Sequence, residues 1–177
     1  GKLQSHSVQG VNVLGRWVGW WGVCAALLAC SPTYNWRQVR PADFALHALL
    51  PCKPQAAQRT VGLGEQTAVL HMLSCDAGGL TFALSALRMP NNMNGEAVLQ
   101  GWKQASLASL KLPPDKALVW QLPVQPKVAA TGWRAEGARH DGTAVTAHAV
   151  MLVHGSEVFQ VAVYGVVAPE VLTELLE

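Results

Sequence analysis

Hydrophobic and polar positions alternate along most of this chain, and the period of that alternation predicts the elements. From Asn35 to Arg40 polar and apolar residues interleave, with Trp36 and Val39 as anchors, and Phe44 to Leu50 forms a second extended run stopped by Pro51. Lys53-Pro54 forces a turn or an irregular exit. Thr67 to Cys75 and Leu80 to Leu87 flank Asp76-Ala77-Gly78-Gly79, whose glycines accept the positive φ that a hairpin needs. Between Gly95 and Leu112 the period changes: Val98, Leu99, Trp102, Leu107 and Leu110 recur at helical spacing, with Asn94 as N-cap and Pro113-Pro114 as the stop. Trp102 reads as a core or rim anchor of that helix. Pro123 and Pro126 mark an edge strand or loop. Gly132–Ala138, Thr143–His154 and Glu157–Tyr164 read as strands, turned at Asp141-Gly142 and Gly155-Ser156. Pro169 opens a last helix with a Val171, Leu172, Leu175, Leu176 stripe. Strands, helix, strands, helix, joined by hairpins, predict an α+β domain whose antiparallel sheet is flanked by helices.

A different pattern precedes this. Trp17 to Cys30 is an uncharged stretch of fourteen residues behind Lys2 and Arg16, and the chain has no acidic residue before Asp43. As a helix it spans about 21 Å, short of the roughly 30 Å hydrocarbon core of a bilayer. It has the size of a signal-peptide hydrophobic region. Its end, Leu27-Leu28-Ala29-Cys30, resembles the bacterial lipobox. That resemblance implies cleavage before Cys30, lipid attachment to Cys30, and, with Ser31 next to it, the outer membrane of a Gram-negative cell. The other reading starts at Val11: twenty residues then make an uncleaved anchor, with Arg16 near the interface and Trp17, Trp20 and Trp21 against the membrane or a partner helix. Residues 1–29 are thus a signal peptide or membrane anchor, and residues 30–177 a single periplasmic domain large enough for one core.

Charge follows the same division. The thirteen Lys and Arg exceed the eleven Asp and Glu by two, and Lys2 and Arg16 account for the difference, so residues 30–177 are neutral. No basic stripe of a nucleic-acid binder and no polybasic membrane patch is present. Two of the four cysteines are accounted for, Cys24 inside the hydrophobic stretch and Cys30 at the lipobox. The remaining pair, Cys52 and Cys75, is what an oxidising periplasm joins. The alternative is a two-His, two-Cys metal set from His47, Cys52, His71 and Cys75, whose spacings match no zinc knuckle or ribbon.

Catalytic patterns do not emerge. Ser74, Ser85 and Ser156 lack a nucleophile elbow, and Gly62-x-Gly64 is a turn, not a dinucleotide fingerprint. Asp43 with Asp76 and Glu136 with Glu157 are possible carboxylate pairs that solvated surfaces explain equally. His148 and His154 share strand parity and therefore a face.

The run Trp36-Arg37-x-Val39-Arg40, then Leu50-Pro51-Cys52-Lys53-Pro54, then Cys75-x-Ala77-Gly78-Gly79, resembles an uncharacterised family of bacterial envelope proteins. With the element order, it is also similar to PsbP-like domains. The resemblance implies a fold and an envelope role and carries no functional residues. The expectation is a non-enzymatic, lipid-anchored periplasmic accessory or interaction module without cofactor or metal. Its partners are the membrane, through lipid or anchor, and a protein of the envelope. The alternatives are an uncleaved single-pass subunit of a membrane complex, and a small-ligand or metal binder using the His148 and His154 face. An apolar cleft with few inward polar groups distinguishes a ligand binder.

Overall fold

The computed structural model describes residues 32–122, 129–167 and 169–176. The leader with Trp17, Trp20 and Trp21 lies outside the described residues, and so do Cys30, Pro123 and Pro126. Thr33–Glu177 form one compact unit. Among the described residues no helix is long and apolar enough to cross a membrane.

Two short strands come first, β1 (Arg37–Val39) and β2 (Ala48–Leu50), paired antiparallel. The main sheet has seven strands: β3 (Gln55–Leu63), β4 (Gln66–Ala77), β5 (Leu80–Arg88), β6 (Leu118–Trp120), β7 (Thr131–Ala138), β8 (Ala144–His154) and β9 (Glu157–Tyr164). Their order is β3-β4-β5-β9-β8-β7-β6, and every neighbour is antiparallel. Helix α1 (Gly95–Ser109) connects β5 to the far edge, and α2 (Pro169–Leu176) closes the described chain. This is an α+β fold, as the pattern predicts.

Strand parity divides the core between two faces. Phe82 and Leu84 of β5, with Val163 of β9, point to one face, where β1, β2 and α2 cover them through Val39, Leu50, Val171, Leu172 and Leu175. The opposite parity, Leu87, Val158 and Ala162 with Ala147, Ala149 and Met151, points to α1. The expected runs at 35–40 and 44–50 shrink to three-residue strands because the segment between them is held by side chains. Phe44 is fully buried against Phe159, with the Arg88 guanidinium 4.3 Å above its ring. Arg88 also donates to the Asp43 carbonyl and pairs with Glu157, whose carboxylate accepts from the Ala45 N–H.

Two turns take the expected chemistry. Gly78 and Gly79 have φ of +59° and +76° in the β4–β5 hairpin. Asn94 caps α1, its side-chain oxygen accepting from the N–H groups of Glu96 and Ala97. Three readings need correction. Gln55–Leu63, beyond the Pro54 exit, is a nine-residue edge strand. Leu118–Trp120 forms β6. And α1 ends at Ser109, before the proline pair: Lys111 turns left-handed at φ +60°, its N–H donates to the Ala108 carbonyl and that of Leu112 to the Leu107 carbonyl. That is a Schellman motif, with Leu107 and Leu112 in one apolar cluster.

Cys52, just past β2, and Cys75 of β4 form a disulfide. It fastens the covering β1–β2 layer to the sheet.

Candidate functional site

Helix α1 does not cover the whole of its face. It lies over β5, β8 and β9, and β3 and β4 extend beyond it. Between them runs an open cleft of about 400 Å³. Its floor is Leu70 and Leu87, which cluster with Val98 of the helix. The strand wall is Arg59, Val61 and Leu63, alternate residues that parity turns toward α1. The helix wall is Ala97, Gly101 and Ala105, one face at a spacing of four, with half-buried Trp102 beside them.

The cleft has room because its helix wall is short-chained. A Cβ built on Gly101 meets nothing within 4 Å. Glycine inside a helix is about 1 kcal/mol less favourable than alanine, and no neighbour here demands it. Arg59 is the one charged residue among those lining the cleft, with Asn94 the other polar group of note. Among the described residues Arg59 has no ion pair. On the other flank of α1, Glu96, Gln100 and Lys103 line a more polar opening of similar volume together with Val119 and Trp133.

The histidines proposed as a binding face do share it, but they do not meet. Six residues of strand separate them, about 20 Å at 3.3 Å per residue. His154 is exposed beside the Gly155-Ser156 turn. His148 is half-buried, its ring 5.0 Å from that of Trp120 in edge contact, opposite Arg134 on β7. Its Nδ1 is buried without a hydrogen-bond partner among the described residues. Burial, and then the nearby Arg134 charge, push the imidazole pKa below its ordinary 6.5.

The other sequence candidates are dispersed too. His71 packs edge-on against Phe44, and Cys75 is committed to Cys52. Among the described residues no three His, Cys, Asp or Glu side chains gather as a metal site. Asp76 accepts from the Thr81 hydroxyl and Glu157 faces Arg88, so neither meets its proposed carboxylate partner. Of the large exposed apolar residues, Leu118 and Val119 are neighbours on β6, and Val69, Val153 and Val166 are spread over β4, β8 and the segment after β9. Apolar side chains converge at the cleft.

Trp102, which reads from the sequence as a core or rim anchor, is one of the residues that line the cleft. Arg59, Val61 and Leu63 escaped notice because β3 itself did. The spacing of Ala97, Gly101 and Ala105 on a recognised helix was a usable signal. No protein family, curated protein or solved structure matches the chain.

Proposed function

We propose that the chain is a lipid-anchored accessory module of the bacterial cell envelope, facing the periplasm and acting by binding through the cleft between α1 and β3–β4. The cleft carries the reading. Its volume, about 400 Å³, lies within the roughly 300–1,000 Å³ of small-molecule sites, and an apolar lining with a few placed polar groups is their usual composition. The lipobox-like Leu27-Leu28-Ala29-Cys30 supports attachment through Cys30, and Ser31 supports the outer membrane. The Cys52–Cys75 bridge is compatible with an oxidising compartment. The short motifs at Trp36–Arg40, Leu50–Pro54 and Cys75–Gly79, with the sheet and its flanking helices, support a PsbP-like affiliation.

Intact mass of the native protein extracted from membranes tests the anchoring. The expected species is residues 30–177 plus acyl chains, absent from a Cys30→Ala variant. An unmodified mass that retains Arg16 to Ala29 assigns an uncleaved subunit instead, and makes Trp17, Trp20 and Trp21 the contact to map.

A further inference from the structure

We infer that the cleft holds a single acyl chain ending in an anion, a long-chain fatty acid. This rests on the reading of the cleft as a binding site and goes on to name its ligand.

Shape comes first. The strand wall from Arg59 to Leu63 extends about 13 Å at 3.3 Å per residue. The helix wall from Ala97 to Ala105 extends about 12 Å at 1.5 Å per residue. Both walls are long enough for the proximal part of an acyl chain, and the helix side presents Ala97, Gly101 and Ala105 along the slot, with Val98 at its floor and Trp102 at its side. Gly101 borders open space, so any larger residue there projects into the slot. The fold has no steric use for that glycine, and keeping the slot clear is a use the slot supplies.

Polarity selects the ligand. Arg59 sits at one end of the strand wall, opposite Leu70 in register, and Val61 and Leu63 continue the wall away from it. One cation without an ion pair among the described residues, followed by apolar length, complements a molecule with one anionic end and a hydrocarbon body. A polar metabolite leaves its hydrogen-bonding groups unmatched against Val61, Leu70 and Val98. A neutral hydrocarbon leaves Arg59 unused. A second copy paired antiparallel along this edge about Arg59 sets two guanidinium groups against each other.

The test uses the full chain in phospholipid nanodiscs, with a palmitic acid carrying a diazirine near the middle of its chain and cross-links mapped by mass spectrometry. Labelling is expected on residues 97–105 and 61–63, competed by palmitate and not by methyl palmitate. Gly101→Leu is expected to reduce it about tenfold or more, with circular dichroism and melting temperature preserved. Should Gly101→Leu melt early, Ala105→Leu, from the same exposed stripe, takes its place. Arg59→Ala is expected to weaken labelling by the acid several-fold, and Arg59→Lys to retain most of it.

Label scattered over Val119, Val166 and other exposed apolar side chains, or indifferent to the filled slot, overturns the inference. Equal competition by the methyl ester overturns the anionic end. A photo-cross-linker at position 105 that captures a polypeptide while palmitate leaves no label there overturns the fatty acid and leaves an interaction module standing. Intact mass on the same preparation reports on the anchor independently.

Discussion

His148 concentrates several effects in one side chain. Val163 and Arg134 flank it in register, Trp120 meets its ring, and its Nδ1 is buried without a partner among the described residues. Because folding lowers its pKa below 6.5, the unfolded chain binds the proton more tightly, and acid favours unfolding. Its contribution is complete above about pH 6.5 and is lost as the pH falls through the lowered folded value. Urea unfolding at pH 7.5 and 5.5 is expected to show a larger loss in the native protein than in His148→Gln. Equal losses rule this out. At this scale the sequence was half legible. Parity places His148 and His154 on one face, but periodicity gives direction without distance. Nothing in the primary structure brings Trp120 to His148, since β6 is three residues long and without alternation of its own.

Elements were legible in proportion to how much of their surface they bury. Helix α1 buries a stripe and announces it, and β5, β8 and β9 are apolar runs buried on both faces. Strand β3 is an edge strand exposed along most of its length, so Gln55-Ala56-Ala57-Gln58-Arg59-Thr60 shows no contrast to read. That is why half of the cleft was hidden and the helix half was not. The end of α1 failed for another reason: its left-handed residue is Lys111, where glycine is usual. A non-glycine residue there costs about 1 kcal/mol. Lys111→Gly is therefore expected to raise stability by about 0.5–1 kcal/mol, the gain being reduced by the greater freedom of the unfolded glycine chain. Thermal melting checks it, and a lower melting temperature counts against the Schellman geometry.

At the scale of the molecule, the sheet separates a covering layer of β1, β2 and α2 from a second layer made by α1 alone. The disulfide secures the first layer across a separation of 23 residues. In the chain-entropy account, closing such a loop contributes about 3 kcal/mol. Denaturant unfolding of a Cys52→Ala, Cys75→Ala double variant is expected to show a loss of that order, and a change under 1 kcal/mol would falsify a stabilising role. The cleft on the α1 side lies across the sheet from the bridge, so ligand labelling is expected to survive the double variant wherever it stays folded. The cysteine pairing was legible because only two cysteines remained once Cys24 of the leader and Cys30 of the lipobox were set aside. The layer it secures was not, because its strands are too short to register.

Strand β9 lies at the centre of the sheet, although it follows all the other strands in chain order. Until residues 157–164 arrive, β3–β4–β5 and β6–β7–β8 are two separate meanders, and β5 and β8 each present a bare hydrogen-bonding edge. A nascent chain therefore carries the adhesive edge of β5 from residue 88 onward, and that of β8 as well once residue 154 is reached, until β9 arrives. Any truncation before Glu157 makes that exposure permanent, and such fragments are substrates for aggregation and quality-control proteolysis rather than shorter versions of the protein.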